Sequence, residues 1–470
     1  LFAAFAALFG AWSLATPLFA GTDESAHSVR AAAAARGEWV GDAVLRLGWH
    51  MDYRVPEAYA RTNDVGCFGP NAALFAKDPA SIAETPVCLP SFAGGGRLVK
   101  VGSYEFRGLP AYYSVIGLPT LLVPDGDGVY LMRLLSALGA AALAASAVAS
   151  VLRRRFATAM VVGVLVALTP EVVYLAGLVN PNGLEIVATI TLFATVLALA
   201  HPDDTEEDDD RLVLRAGIAG VLLGGRARTL ELWRRVDVRR WLGVAAGVVV
   251  LHGLWIVTVA LGYGEDRTGH GLGWAVGRWD DVLRESVGVL GSNDIRLPAG
   301  VYAVWGVVAL GALGLGLVLG TARHRLVAGT LLGLAALLAV GVDGFNLPPI
   351  GFDWQGRYGL PLVAGAVLVA LDGVRRDRVP PALAPRLPVV ASVAVVALLG
   401  AQLVGFVGTA HQLGLGRSSD AWPLAYLFDA TWDPAVPPLL LLAAFAFGLG
   451  VLGTVAIRAV RGARAATVRA

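Results

Sequence analysis

Apolar runs of about twenty residues, repeated along the whole chain, constrain its fold more than any other feature. A helix rises 1.5 Å per residue, so ~20 apolar residues cross the ~30 Å hydrocarbon core of a bilayer, where backbone amides and carbonyls must be paired inside the segment. Ten runs bounded by charge, Pro or Gly qualify: 1–20, 129–152, 156–178, 183–200, 241–262, 299–320, 326–343, 359–372, 388–409 and 436–457. Composition agrees, since 56% of residues are hydrophobic and 16% charged, against ~25% charged in soluble proteins. The chain is therefore expected to be all-α and polytopic, one membrane-embedded unit over residues 1–470. With 37 Lys+Arg against 36 Asp+Glu and no basic stripe, nucleic acid is excluded as a main partner.

Arginine sets the expected orientation. Arg153 to Arg155, Arg226 to Arg240, Arg323 and Arg325, Arg375 to Arg386, and Arg458 to Arg469 all fall on one side when the runs are counted in order. That side is expected to be cytoplasmic and to hold both termini. The first run is read as a retained helix, with a cleaved signal peptide as the alternative, because Thr16 to Ala20 lacks a small-x-small cleavage site. Residues 201–240 form a cytoplasmic loop with an acidic run from Asp203 to Asp210. Within it, 212–225 is apolar but too short to cross alone; a re-entrant helix or the remnant of a hairpin fits, giving ten to twelve spans. The outward loops are then 21–128, with short helices, 263–298, 344–358 and 410–435.

Chemistry is expected in those loops. Cys67 and Cys88 both lie in the first and are expected to form a disulfide. Thr22-Asp23-Glu24-Ser25-Ala26-His27 reads as a helix start with Thr22 as N-cap and Gly37 as terminator. Asp23 and His27, four apart, share one face, so a carboxylate there has a histidine beside it. Arg107 and the pair Tyr112 and Tyr113 precede an apolar stretch suited to an interfacial helix. Glu171, Asn180, Asn182 and Glu185 bracket a turn between two runs, where carboxylates are costly unless they face a wet cavity. Arg296 closes the second loop, and Trp354, Gln355, Arg357 and Tyr358 enter a late run. An Arg at a helix start opposes the dipole, so Arg357 calls for an anionic partner or ligand. Zinc-protease, nucleotide-cradle and serine-hydrolase motifs are absent from the sequence.

TDESAH, TPEVVYLAGLVNPNGLEI, SVGVLGSNDIRLP and DWQGRYGLP together resemble a family of bacterial polytopic membrane proteins catalogued as a domain of unknown function (DUF2142-like), within the C-type (GT-C) glycosyltransferase superfamily. The resemblance implies a membrane-helical fold with its active site at the outer face, where a sugar passes from a polyprenyl-phosphate donor to a glycan or glycolipid acceptor of the cell envelope. It implies an acidic base in the first outward loop, which maps onto Asp23 or Glu24. His27, Arg357, Arg107 and Arg296 are then candidates for binding the donor phosphate. Tyr112, Tyr113, Glu171, Asn180, Asn182, Glu185, Trp354, Gln355 and Tyr358 are candidates for lining the substrate. The sequence names no cofactor, and a divalent metal ion beside Asp23 and Glu24 is the one option carried. A non-catalytic transporter or scaffold for an envelope polymer is the alternative.

Overall fold

The computed structural model describes residues 1–43, 50–68, 82–153, 157–200, 246–247, 250–260, 269–346, 353–374 and 378–468. The expected cytoplasmic loop 201–240 and the apolar segment 212–225 lie outside them. The described chain is mostly helical. Six of its helices are long and apolar enough to cross a membrane: Gly126–Leu152, Pro181–Ala198, Ala299–Leu319, Ala322–Phe345, Leu387–Leu415 and Pro438–Arg461. A seventh crossing is available if the bent pair Thr158–Ala167 and Pro170–Ala176 counts as one. Runs 1–20 and 241–262 correspond to shorter apolar helices, Phe2–Ala15 and Val250–Val259.

The core forms where α1 (Phe2–Ala15) packs against α4 (Gly126–Leu152) and the helix Pro438–Val468. Its centre is Trp12, whose ring meets Tyr174, Phe406 and Phe445 edge-on at 5.1, 4.8 and 6.1 Å. Such pairs favour edge-to-face geometry because the ring edge is positive and its face negative. Between α5 (Ala157–Ala167) and α6 (Pro170–Leu175) the chain bends by 66°. Pro170 removes an amide, and the carbonyls freed by the bend find partners elsewhere. Trp305 Nε1 donates to Val166 O at 3.0 Å, and Gln402 Nε2 donates to Leu168 O at 2.8 Å. In an apolar surrounding those two side chains make the break tolerable.

The loop 21–128 holds more than the short helices expected of it. Beside α2 (Glu24–Ala35) and α3 (Pro110–Ile116) lies a three-stranded antiparallel sheet of β1 (Asp42–Ala43), β2 (Met51–Pro56) and β3 (Leu98–Ser103). Tyr53 pairs with Val101 and Met51 with Ser103, which turns Met51, Tyr53 and Val55 onto α2 as a second core. The helical class stands, and this small sheet is an addition to the short helices expected of the loop. The pairing joins segments more than forty residues apart, which local periodicity does not reveal. The Cys67–Cys88 disulfide is formed as expected.

Helix α2 starts one residue later than expected. Asp23, not Thr22, occupies the N-cap position, with a left-handed φ of 55°, and Thr22 Oγ1 instead donates to Gly291 O at 2.8 Å. Gly37 takes φ +84° and closes the helix: its amide and that of Glu38 bond back to Ala34 O and Ala33 O. The loops predicted to lie on one side do converge. Thr22 binds the hairpin of β4 (Val289–Leu290) and β5 (Ile295–Arg296), Arg417 pairs with Asp294 at 2.8 Å, and Ser418 reaches Glu84. The Gly356–Asp372 helix begins at the same end.

Candidate active site

Asp23 and Glu24 are neighbours in sequence with opposite fates. Glu24 is fully buried, and its carboxylate takes Arg133 Nε at 2.7 Å, Arg133 Nη2 at 2.5 Å and the Val179 amide at 3.1 Å. Arg133 also donates to Ser13 O, Thr16 O and Pro17 O at 2.8, 2.6 and 2.8 Å. This knot fastens the end of α1 to α4 and to the start of α7 (Pro181–Ala200). With every oxygen committed and none exposed, Glu24 has no geometry for taking a proton from a substrate, which narrows the expected base to Asp23.

The Asp23 side chain keeps 24% of its surface exposed. One oxygen accepts from Tyr104 Oη at 2.9 Å and the other pairs with Arg357, whose side chain is 2% exposed. The anionic partner that a helix-start Arg calls for is thus Asp23, 334 positions away. His27 lies one turn along α2, its Nδ1 3.0 Å from Tyr113 Oη and 3.8 Å from Glu105 Oε2.

Burial pushes the His27 pKa down to about 4, with Asp23 opposing and Arg357 adding to the shift. His27 is therefore neutral at pH 7, a correction to the expectation that it brings positive charge for a phosphate. Glu105, missed in the sequence reading, is pushed up to about 8 by desolvation and then by the negative charge of Asp23. Its position two residues before Arg107, in a stretch already rich in polar and aromatic groups, was the one available signal.

The remaining candidates divide by what they hold. Tyr358 Oη lies 3.3 Å from Arg357 Nη2, and its ring meets Trp354 edge-on at 5.8 Å, so both belong to the Arg357 surround. Arg107 stacks over Phe106 with Cζ 4.7 Å from the ring and adds its charge near Glu105. Glu171 is buried at the helix bend, accepts the Val289 amide and sits in the field of Arg357. Tyr112 Oη meets Ser136 Oγ at 3.2 Å, and Glu185 is exposed on α7, just past its first turn. Asn180 donates to Thr22 O at 2.9 Å and receives the Asn182 amide at 2.9 Å, while Gln355 accepts from Asn293 at 2.9 Å. Those amides tie loops together rather than face an opening. Arg296 is 62% exposed and paired with Asp281 at 3.3 Å, apart from the cluster.

The segment that delivers Arg357 is itself clamped. Asp343 accepts the Trp354 amide at 2.6 Å, Glu285 accepts the Gly356 amide at 2.8 Å, and Arg278 bridges both carboxylates at 3.3 and 3.6 Å. Two carboxylates at the N-terminus of the Gly356–Asp372 helix oblige its dipole and its first amides.

Among the described residues Asp23, His27 and Glu105 form the one group able to offer a metal three ligand atoms, which lie within 4.8 Å of one another. The donor set fits a metal poorly. Both Asp23 oxygens are engaged, one by a guanidinium, and a divalent ion there would have to displace Arg357 against its charge. The cluster is built as an ion pair with a neutral histidine and a reluctant acid beside it.

No curated protein and no solved structure matches the chain. Residues 6–231, slightly under half of the chain and including α2 and the first loop, match the sequence model of a family described as "Predicted membrane protein (DUF2142)".

Proposed function

We propose that the chain is an inverting glycosyltransferase of the GT-C kind in the plasma membrane of a bacterium. In this reading both termini are cytoplasmic and the loop-rich end faces outward, moving a sugar from a polyprenyl phosphate to a glycan or glycolipid acceptor of the cell envelope. The observation that carries it is the partly exposed Asp23 carboxylate, held by Tyr104 and by the buried Arg357 where four loops converge at one end of an apolar helix bundle. Asp23 removes the proton from the acceptor hydroxyl. The oxygen attacks the anomeric carbon as the bond to the phosphate oxygen breaks, and the bonding pair leaves with the lipid phosphate, which needs positive charge rather than a proton. Arg357 stands beside the base and supplies that charge. Glu105, whose pKa burial and the Asp23 charge push up, repels the phosphate less than an ordinary carboxylate would.

The test is sugar transfer from a radiolabelled polyprenyl-phosphate sugar in membranes containing the wild-type protein or Asp23→Asn. Removing a general base costs ~10²–10⁴-fold in rate. A loss of that size at unchanged folded protein is expected; transfer at the wild-type rate by Asp23→Asn overturns the assignment and leaves the transporter or scaffold.

A further inference from the structure

Asp23, His27 and Arg30 lie at i, i+4 and i+7 of one helical face, so Arg30 continues the line that begins at the candidate base. Its side chain is fully buried. The guanidinium sits in a box of three rings, with Cζ 5.1 Å from the Tyr53 centroid, 5.6 Å from Tyr113 and 5.8 Å from Trp255. Tyr113 is shared with His27, and Trp255 is pinned by its indole N–H donating to Arg107 O at 3.0 Å.

Two carboxylates, Glu105 and Glu38, act on Arg30 through their charge, with no hydrogen bond from it to either among the described residues. Among the described residues its one hydrogen bond runs from Nη1 to Glu38 O at 3.4 Å, while the Glu38 carboxylate takes the Arg54 amide at 2.9 Å and Glu105 lies 3.8 Å from His27 Nδ1. Nε and Nη2 are buried with no hydrogen-bond partner among the described residues. Those two donors form a single edge of the guanidinium plane, the parallel fork that matches two oxygens of a phosphate or carboxylate. Ring faces stabilise the cation but leave these in-plane hydrogens unsatisfied, and buried polar groups in folded proteins are nearly always bonded.

We propose that the Nε and Nη2 edge of Arg30 is the receptor for a phosphate group, gripped bidentately inside the Tyr53, Tyr113 and Trp255 box beside the Asp23 cluster. The inference rests on the glycosyltransferase reading only for the source of that phosphate, which is either the lipid carrier or the free anion. Arg30 would grip the phosphate and add to the charge that Arg357 supplies from its place on Asp23.

Wild-type protein purified in detergent is titrated calorimetrically with inorganic phosphate and, separately, with a polyprenyl phosphate. Arg30→Lys is treated in the same way, because it keeps the charge and the ring contacts but loses the fork. Saturable binding to wild type, weakened about tenfold or more by Arg30→Lys, is the expected result; a factor of ten corresponds to one lost charge-assisted bond. Binding of both probes identifies the phosphate group alone as the ligand, and binding of the lipid only identifies the carrier. No binding of either probe, or binding undiminished in Arg30→Lys, overturns the proposal. If Arg30→Lys does not fold, a structure of the wild type in phosphate decides: density on the Nε and Nη2 edge sustains the proposal, and its absence there overturns it. Loss of sugar transfer in Asp23→Asn with no phosphate bound by the wild type would leave the enzyme reading intact and remove this one. Phosphate bound through Arg30 in a protein that transfers no sugar would do the reverse.

Discussion

Glu24→Gln separates the structural carboxylate from the one proposed to carry the chemistry. The substitution preserves shape but removes the charge opposite Arg133, a side chain with no exposed surface. Arg133 keeps its three bonds to Ser13 O, Thr16 O and Pro17 O, yet of the two Glu24 oxygens that face its Nε and Nη2 only one remains, and the new amide turns a donor toward a donor. Breaking a buried ion pair on one side costs about 3–5 kcal/mol, because the other charge stays buried and uncompensated. The retained carbonyl contacts place the expected loss at the lower end of that range. The assay is thermal unfolding of the detergent-solubilised protein followed by size-exclusion fluorescence, with Asp23→Asn alongside. Glu24→Gln is expected to lower Tm by several degrees, and Asp23→Asn by less, since Asp23 is partly exposed. Pairing Glu24→Leu with Arg133→Met is expected to recover most of the loss, as apolar replacements of buried pairs often do. A Glu24→Gln protein with wild-type Tm and abolished sugar transfer would refute the reasoning and return Glu24 to the chemistry.

The pH profile of stability should show two separate edges. His27 has its folded pKa depressed to about 4 from 6.5, so the stability that accompanies its neutral burial is full above pH 6.5 and declines as pH falls toward 4; His27→Asn should flatten that acid edge of a Tm-versus-pH curve. Glu105 has its folded pKa raised to about 8 from 4.5, so its contribution is full below pH 4.5 and is lost as pH rises through 8; Glu105→Gln should flatten the alkaline edge, and an unchanged slope would contradict the burial argument. Arg278→Gln should loosen the segment that carries Arg357, read as about tenfold faster hydrogen exchange at the Trp354 and Gly356 amides, the equivalent of ~1.4 kcal/mol of lost local stability. Protection equal to wild type would mean that Asp343 and Glu285 hold the segment without it. Reducing Cys67–Cys88, which closes a separation of 21 residues, should cost ~3 kcal/mol in the first loop, seen as protease cleavage there before the helices are cut.

Much of the scaffold was legible from local pattern. Span length is a one-dimensional requirement set by bilayer thickness, so runs such as 129–152 and 388–409 announce the helices Gly126–Leu152 and Leu387–Leu415 directly. The stop of α2 was legible for a similar reason: Gly37 tolerates φ +84° where a side chain would be strained. The i and i+4 spacing put Asp23 and His27 on one face, and the unfavourable dipole at Arg357 called for an anion. Each of these follows from forces acting within a few residues.

What the sequence determined by itself was thus the membrane-helical class and a short roster of polar residues. Tertiary structure alone decided what those residues do, because a charge in a low-dielectric interior is defined by its partner, and the partners here are remote. Arg133 lies 109 positions from Glu24, and Arg357 lies 334 from Asp23. Two adjacent carboxylates that composition treats alike were separated by that pairing into a buried fastening and a partly exposed candidate base. Packing likewise turned His27 neutral, made Glu105 a reluctant acid, and left Arg30 buried with an open donor edge. Burial and hydrogen-bond satisfaction are properties of a folded surround, and no periodicity along the chain carries them.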